Sequence, residues 1–411
     1  MKKIVLTGGG TAGHIIPNLA LIPYLSGNEI HYIGSGGMEK TFAANSGVIY
    51  HEIPCVKLVR KLSFSTLAVP FKLMKCVNEA KKVLREIKPD VIFSKGGYVS
   101  LPVALAKPKK VPLILHESDC TPGLANRLSI GKCDVMFTSF DCIKNKKAEC
   151  TGSPIRRELY CGDKLKAARE CGFSGKRKVL LAFGGSLGAR SICEAVRKNA
   201  PSLCKKYDVV LVTGAGNSRK SDVQGFVEKE FLPDIGNYFA LADIVISRGG
   251  SNSLFELMSL KKPTLCIPLP KGISRGDQLD NAAYFSKKGC IEVLPDGEYL
   301  SENLLTAVES TDQNKKSLCK NMQKLKNTDG TRKIAHRILA AAVISPAFEF
   351  LLNLLYRVAP TALFYGQRLD KRVFAAGCFV ILFRPCRSHA YRADDSRGDQ
   401  RRNQRFCLSV H

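Results

Sequence analysis

Short apolar runs rich in β-branched residues alternate along the chain with longer amphipathic stretches. Five such runs lie in the first part of the chain, at 3–6, 31–33, 91–93, 113–115 and 135–138. Runs of this length, separated by segments long enough for a helix, are typical of buried strands in a parallel sheet covered by helices. The pattern therefore predicts an α/β fold.

The same rhythm restarts after a polar segment in the middle of the chain. The later runs lie at 178–183, 208–212, 244–247 and 264–267. Before them, residues 170–178 combine glycines with charged residues, a composition typical of linkers. We therefore predict two Rossmann-like domains, 1–156 and 157–343, whose parallel sheets face an interdomain cleft where a ligand binds.

The last part of the chain, 344–411, differs in composition from the rest. From residue 345 it carries ten arginines and one lysine, whereas the preceding chain favours lysine. Its apolar pieces at 348–355 and 373–383 are separated by arginines and a proline, which argues against a membrane span. Two interpretations stay open for this extension: an out-of-frame or fused tail, and a genuine accessory segment.

Composition narrows the classes of partner. The 411 residues carry a net charge of +27, which suits nucleic acid, anionic lipid or a polyanionic small substrate. Because the lysines are dispersed and no recognition motif is present, we predict no nucleic-acid partner.

The chain lacks the ~18 uninterrupted apolar residues of a spanning helix, so we predict a cytoplasmic location. The 16 cysteines lack the paired spacing of zinc sites, which predicts reduced thiols and no metal.

Three glycine-rich or polar turns follow predicted strands of the first domain. Residues 8–13 follow the first strand, and helix-forming sequence begins near Pro17. Residues 94–98 follow the third strand and include a lysine, and 116–119 place titratable groups after the fourth. Such turns present backbone N–H groups and a helix dipole to phosphate, although glycine also serves strand-to-helix turns for purely steric reasons. Because carboxyl ends of parallel strands share one edge, we expect the turns to meet.

The second domain repeats this design. Residues 184–189 join a strand to a helix, and 247–252 lead to Glu256 about one and a half turns inside the next helix. A carboxylate there can accept both hydroxyls of a ribose. The alternative is a surface glutamate that stabilises the helix dipole.

These motifs together resemble glycosyltransferase family 28 of the GT-B superfamily, the peptidoglycan N-acetylglucosaminyltransferases. The resemblance covers residues 1 to about 343. It rests on ordered matches at 8–17, 94–102, 116–126, 151–156, 184–189, 242–256, 268–270 and 275–281.

The resemblance implies a GT-B fold and an inverting transfer of N-acetylglucosamine from UDP-N-acetylglucosamine, without cofactor or metal. The implied acceptor is the C4 hydroxyl of the muramoyl sugar on undecaprenyl-diphosphate-linked muramoyl-pentapeptide. Positions matching donor contacts are Thr11, Ala12, Gly13, Arg156, Ser186, Leu232, Ser251, Asn252, Ser253, Leu254, Phe255, Glu256 and Gln278. Positions implied for the acceptor diphosphate are Gly9, Gly10, Ser94, Lys95, Gly96, Gly97 and Tyr98.

Within this scheme Leu232 lies against the uracil and Glu256 holds the ribose. Cationic and N–H donors near Arg156, Ser186 and Ser251 stabilise the departing UDP. The attacking hydroxyl needs a base, for which His14 is the first candidate and Glu117 the second.

Two positions depart from the family pattern. Ala12 stands where glycine is commoner, and a positive φ there would cost about 1 kcal/mol. Asp119 stands where some members have asparagine, and it brings a negative charge instead of an amide dipole.

A membrane-facing segment is predicted in the first domain. Residues 57–62 combine cations with apolar residues, and the apolar run 67–73 has Lys72 and Lys75 near it. This combination is typical of an interfacial segment, so we predict peripheral binding to the cytoplasmic face of an anionic membrane. The alternative is an ordinary core-facing helix with solvated lysines.

Other functions were weighed against the same residues. A nicotinamide dehydrogenase needs an acidic ribose ligand after the second strand, and none is evident after 31–33. A UDP-N-acetylglucosamine 2-epimerase and a diacylglycerol glycosyltransferase share the fold, but the turn at 94–98 disfavours both. A non-catalytic sugar-nucleotide sensor also stays open.

Overall fold

The computed structural model describes residues 1–56, 69–185, 188–273 and 275–343. The chain divides into two compact units, Met1–Pro346 and Ala347–His411, and every described residue belongs to the first. The extension predicted from residue 344 lies outside the described residues, so both interpretations of it stay open.

The first domain is built on a seven-stranded parallel sheet in the order β3-β2-β1-β4-β5-β6-β7. Its strands are β1 (Lys3–Thr7), β2 (Glu29–Gly34), β3 (Ile49–Glu52), β4 (Val91–Ser94), β5 (Leu113–Glu117), β6 (Val135–Thr138) and β7 (Ala148–Cys150). Its described helices are α1 (Ala12–Leu21), α2 (Met38–Ala44), α3 (Val69–Ile87), α4 (Ser100–Ala106) and α5 (Leu124–Ser129), with 3-10 turns at Ile22–Leu25 and Ile130–Lys132.

The second domain contains a six-stranded parallel sheet in the order β10-β9-β8-β11-β12-β13. Its strands are β8 (Lys178–Phe183), β9 (Tyr207–Val212), β10 (Phe226–Lys229), β11 (Ile244–Ser247), β12 (Thr264–Cys266) and β13 (Glu292–Val293). The helices of this part of the chain are α6 (Lys164–Glu170), α7 (Arg190–Leu203), α8 (Ile235–Leu241), α9 (Ser251–Ser259), α10 (Asp277–Lys287), α11 (Leu300–Gln323) and α12 (Thr331–Val343), with a 3-10 turn at Arg157–Cys161. The predicted α/β fold with two Rossmann-like domains is confirmed.

The strand order of each sheet reverses at one point. In the first sheet β1 lies between β2 and β4, and Thr7 pairs with Ser94 at the carboxyl ends of β1 and β4. In the second sheet β8 and β11 occupy the same position, and Phe183 pairs with Ser247. Ligands of open α/β sheets bind outside the carboxyl ends of the strands at such a reversal. The turns that follow β1, β4, β8 and β11 therefore lie where a ligand site is expected.

The last described helix returns to the first domain. The buried face of α12, formed by Ile334, Ala335 and Ile338, packs in one hydrophobic cluster with Ile4 and Leu6 of β1. The domain limits 1–156 and 157–343 stay a prediction. Helix α12 lies within the range predicted for the second domain, but it covers the sheet of the first.

An aromatic cluster joins the two domains. Phe140 of the first domain lies edge-on to Phe255 of α9 and to Tyr284 of α10, with ring centroids 4.9 Å and 4.8 Å apart. Aromatic side chains bury large areas and favour such geometry, so this cluster stabilises the contact between the domains.

The cysteines of the described ranges are free thiols, and many of them are buried. Among the helices of those ranges, none is long and apolar enough to cross a membrane.

Candidate active site

The first glycine turn is shaped by close contact with the second. Gly10 has a φ of +86°, and a Cβ on it would lie 2.4 Å from Cε1 of Tyr98. Gly97 has a φ of +83°, and a Cβ on it would lie 2.5 Å from the carbonyl oxygen of Gly9. The residues predicted to hold the acceptor diphosphate are therefore brought together at one edge of the sheet.

A methyl group at position 97 is expected to disrupt this contact. Gly97→Ala places a side chain in left-handed backbone and against both Gly9 and His14, whose Cδ2 would be 2.8 Å away. We expect a loss of about 1–3 kcal/mol in the free energy of unfolding, measured by denaturant titration. The control is Gly131→Ala, where a Cβ meets nothing within 4 Å. Equal stability of the two variants would contradict the close packing of the turns.

Helix α1 begins earlier than the sequence indicates. It starts at Ala12, so Pro17 lies inside the helix and not in its first turn. A proline cannot donate a hydrogen bond to the carbonyl four residues before it, which here is Gly13. That carbonyl instead accepts a hydrogen bond of 2.7 Å from Nδ2 of Asn252, on α9 of the second domain. The proline thus leaves an acceptor free for a contact across the cleft.

The sequence left open whether Ala12 has a strained backbone with positive φ, and its place in α1 answers this. Ala12 is the first residue of α1 and is not among the non-glycine residues with positive φ. Its methyl group therefore carries no backbone strain.

His14 lies on the first turn of α1 beside Gly97. Its Nδ1 is buried and has no hydrogen-bond partner within the described ranges. Burial, together with the positive charges of Lys95 and Arg275, lowers the pKa of His14 to about 4. The imidazole is therefore neutral at neutral pH, which is the form that accepts a proton.

Lys95 is a buried cation at the start of the second turn. It is 1% exposed, its ammonium group donates to Oγ of Ser118, and its backbone N–H donates to the carbonyl of Thr7 at 2.9 Å. Burial lowers the pKa of Lys95 to about 8, while the carboxylates of Glu117 and Asp119 act in the opposite direction. Oγ of Ser94, which precedes it, is buried and finds no partner among the described residues.

Glu117 organises the loop after β5. Its carboxylate accepts hydrogen bonds from the backbone N–H of Asp119 (3.1 Å), from that of Gly123 (2.8 Å) and from Nδ2 of Asn126 (2.9 Å). Burial and the neighbouring Asp119 raise the pKa of Glu117. With both oxygens engaged by the loop, Glu117 is less suited than His14 to take a proton from substrate.

Asp119 contacts the second domain. Its Oδ1 accepts a hydrogen bond from Nδ2 of Asn281 (3.0 Å), and its Oδ2 lies 3.4 Å from Nη2 of Arg275. The negative charge at this position is thus compensated within the protein.

The residues of α9 that were predicted to bind the donor have different surroundings. Ser251 and Asn252 lie at its N-terminal end, and Oδ1 of Asn252 also accepts from Oγ of Ser153 at 3.3 Å. By contrast, the side chains of Leu254 and Phe255 are buried in the hydrophobic core. Asn252 contacts Gly13 across the cleft, and Ser253 is partly exposed.

Glu256 is buried beside Arg156. Oε1 of Glu256 accepts a hydrogen bond from Nε of Arg156 at 3.1 Å and forms an ion pair with Nη2 of the same guanidinium, also at 3.1 Å. Burial raises the pKa of Glu256 and the Arg156 guanidinium opposes that shift. The sequence placed both residues in the donor site, and the structure brings them into direct contact.

The remaining donor positions have different surroundings. Leu232 is 5% exposed and packs with Tyr238 and Phe239 in the core, so its side chain faces away from solvent. Oε1 of Gln278 accepts a hydrogen bond from the backbone N–H of Leu269 at 3.1 Å. Thr11 is exposed as the N-cap of α1, and Ser186 lies outside the described residues.

Three residues at the cleft were not predicted as site residues: Ser118, Arg275 and Asn281. All three lie within motifs that the sequence singled out, but their partners are distant in the chain. Asn281, for example, contacts residues about 160 positions earlier.

Within the described part of the chain, no three His, Cys, Asp or Glu side chains are placed to hold a metal ion.

Comparison with known families identifies both domains. Residues 4–138 match the glycosyltransferase family 28 N-terminal domain, and residues 179–338 match the corresponding C-terminal domain. The chain is 45% identical over 345 residues to the UDP-N-acetylglucosamine–N-acetylmuramyl-(pentapeptide) pyrophosphoryl-undecaprenol N-acetylglucosamine transferase of Lachnoclostridium phytofermentans, covering 81% of this chain and 97% of that protein. It is 44% identical to the enzyme of the same name from Clostridium botulinum, covering 82% and 99%.

Solved structures give the same fold. MurG of Acinetobacter baumannii superposes with a TM-score of 0.64 at 20% identity, covering 83% of this chain and all of that one. A putative UDP-N-acetylglucosamine 2-epimerase from Listeria monocytogenes superposes with a TM-score of 0.57 at 14% identity, covering 83% and 95%. Both likenesses concern the fold alone.

Proposed function

The chain belongs to glycosyltransferase family 28, and from this premise we propose that it transfers N-acetylglucosamine from UDP-N-acetylglucosamine to an undecaprenyl-diphosphate-linked muramoyl-pentapeptide. The related enzymes named for this reaction align over nearly their whole length. The reaction belongs to peptidoglycan synthesis, and its acceptor atom is the C4 hydroxyl of the muramoyl sugar.

One observation supports a reaction at the cleft most directly. The glycine turn after β1, proposed for the acceptor diphosphate, is hydrogen bonded through the Gly13 carbonyl to Asn252 at the start of α9, proposed for the donor. The turn proposed for the acceptor and the helix proposed for the donor are therefore in direct contact.

We assign the leaving group to the start of α9. Negative charge develops on UDP as its bond to the anomeric carbon breaks, and backbone N–H groups at a helix N-terminus stabilise such charge. Arg156 supplies a cation next to this helix, since it forms an ion pair with Glu256 of α9. Glu256 is proposed to hold the ribose. No metal takes part in this scheme.

We assign His14 as the base that accepts the proton of the attacking hydroxyl. Its neutral imidazole lies beside the turn proposed for the acceptor, and its Nδ1 has no hydrogen-bond partner among the residues that the structure describes. Attack by the hydroxyl on the face opposite UDP inverts the anomeric carbon.

The 2-epimerase alternative has a simple test, because an epimerase changes UDP-N-acetylglucosamine without an acceptor. Release of UDP is measured with and without a polyprenyl-diphosphate muramoyl-pentapeptide. We expect release only when the acceptor is present. Conversion of the nucleotide sugar alone to its 2-epimer would favour the epimerase. Release of UDP that depends on added diacylglycerol would favour the lipid glycosyltransferase.

We also propose peripheral binding to the cytoplasmic face of an anionic membrane through the start of α3. Phe71 and Met74 are 79% and 63% exposed on one face of this helix, with Lys72 and Lys75 next to them. Further along, Cys76, Ala80 and Leu84 of α3 are buried in the core. The helix thus has both an exposed apolar face, as an interfacial segment would, and a core-facing side. Residues 57–62 and the first two residues of the run 67–73 lie outside the described ranges.

Removing the apolar residues tests this proposal. The double variant Phe71→Ser/Met74→Ser is expected to weaken binding to vesicles containing phosphatidylglycerol by at least about tenfold, because each side chain contributes about 1.5–3 kcal/mol when fully buried. Binding is measured by co-sedimentation. The matched control is Phe231→Ser, which removes a 70% exposed phenylalanine from the second domain. Equal binding by the double variant and the control would contradict the proposal.

A further inference from the structure

We propose that Asn281 is a positioning residue. It couples the position of residues 248–250, which we call the donor loop, to the position of the first domain. The inference rests on the proposed function. It assigns to Asn281 a role that acts through other residues and not through contact with the substrates.

The side chain of Asn281 is fully buried, and both its Oδ1 and its Nδ2 form hydrogen bonds. Its Oδ1 accepts from the backbone N–H of Cys120 at 3.1 Å, and its Nδ2 donates to Oδ1 of Asp119 at 3.0 Å. Both partners belong to the loop after β5 in the first domain. The same Nδ2 donates to the carbonyl of Gly249 at 3.2 Å, in the donor loop of the second domain. One amide group therefore joins the two loops.

The helix that carries Asn281 presents a whole face to these contacts. Gln278, Asn281 and Tyr284 follow one another at three-residue spacing on α10, so they lie along one side of it. Gln278 is pressed against the donor loop, since a Cβ on Gly249 would lie 2.5 Å from its carbonyl oxygen. Tyr284 donates to Oδ1 of Asp141 in the first domain at 2.9 Å. Helix α10 therefore contacts both domains, with Asn281 in the middle.

The donor loop leads directly into the proposed donor site. Gly250 is the N-cap of α9, and Asn252 of that helix donates to the Gly13 carbonyl. A shift of Gly249 therefore moves the helix N-terminus that we place at the UDP diphosphate. On the other side, Glu117 fixes the loop of Asp119 and Cys120 by accepting the N–H of Asp119. The hydrogen bonds thus run from the glycine turn, through α9 and Asn281, back to the first domain.

The test separates coupling between domains from support of the donor site alone. Asn281→Ala is expected to lower kcat for transfer about 10- to 100-fold, since small displacements of a reacting group have effects of this size. Its Kd for UDP, measured by calorimetry, is expected to rise by a smaller factor than kcat falls, because the Arg156–Glu256 ion pair proposed at the nucleotide does not involve Asn281. Asp119→Ala is expected to lower kcat as well. The double variant should be no worse than the poorer single variant, since both changes break one connection.

Asn321→Ala is the matched control, since Nδ2 of Asn321 donates to the carbonyl of Gly289 at 3.0 Å, away from the cleft. We expect wild-type kcat for it. Unchanged kcat in Asn281→Ala, additive losses in the double variant, or a loss of UDP affinity as large as that of kcat would each overturn the inference.

Should Asn281→Ala not fold, as judged by thermal unfolding, the Asp119 variants decide. Asp119→Asn keeps an oxygen that accepts from Asn281 and should retain more activity than Asp119→Ala, whereas equal activity would overturn the inference. Absence of any product from the wild-type chain would instead contradict the proposed function, so the two failures are distinct.

Discussion

Replacing His14 with alanine is expected to lower kcat for sugar transfer by about 100- to 10,000-fold, the usual contribution of a general base. The imidazole lies at the meeting point of the two glycine turns, and its buried Nδ1 has no partner within the described ranges. The KM for UDP-N-acetylglucosamine should change little, because the base acts on the acceptor. Initial rates at several donor concentrations separate the two constants.

The control for this variant is His336→Ala, which removes an exposed histidine from α12. It should retain wild-type activity. A His14→Ala enzyme within about threefold of wild type would rule out His14 as the base, since general bases contribute at least about 100-fold.

The pH dependence of kcat/KM follows from the same residue. Because the pKa of His14 is lowered from 6.5 to about 4, the folded protein keeps the imidazole unprotonated well below neutral pH. The acidic limb attributable to His14 is therefore expected near pH 4, and rates should stay level from neutral pH down to about 5. A fall centred at the ordinary histidine pKa would show that the imidazole is not buried in this way.

Glu256→Ala is expected to raise the KM for UDP-N-acetylglucosamine about 100-fold. Hydrogen bonds to charged groups contribute about 1.5–3 kcal/mol each, and tenfold in affinity corresponds to about 1.4 kcal/mol. The change removes the proposed ribose acceptor and leaves the partly buried Arg156 without the oxygen that its Nε and Nη2 contact. Glu256→Gln retains an acceptor oxygen and should be intermediate.

The matched control is Glu302→Ala, which also removes a carboxylate near a helix N-terminus, in the first turn of α11. If Glu256 served only to stabilise the helix dipole, both variants would lose a similar amount of stability and neither would change the donor KM. That pattern would contradict the ribose role.

The parallel sheets and their glycine turns are predictable because their causes are local. Buried strands have short apolar runs, and a turn that presents N–H groups to phosphate needs glycine directly after the strand. Gly10 and Gly97 have the positive φ that such turns require, and each lies where the pattern predicted a turn. The clustering of the turns then follows from the shared carboxyl edge of a parallel sheet.

Features that depend on distant partners are not predictable in this way. The apolar face of α12 predicts burial, but it does not show that the helix covers the first sheet and not the second. Leu232 could be matched to a uracil contact by its position, whereas its burial in the core depends on the packing of α8. Pro17 suits a helix start by propensity, but it lies inside α1, and the Gly13 carbonyl that it leaves free accepts a hydrogen bond from Asn252 of the other domain.

The transfer reaction itself provides the most direct test. The full chain is incubated with UDP-N-acetylglucosamine labelled in the sugar and with a polyprenyl-diphosphate muramoyl-pentapeptide, and the lipid fraction is extracted and counted. We expect label in a lipid carrying the β-linked disaccharide, and a much smaller amount with His14→Ala and Glu256→Ala. Absence of labelled lipid from folded wild-type protein that binds UDP would contradict the assignment of this chain as the transferase.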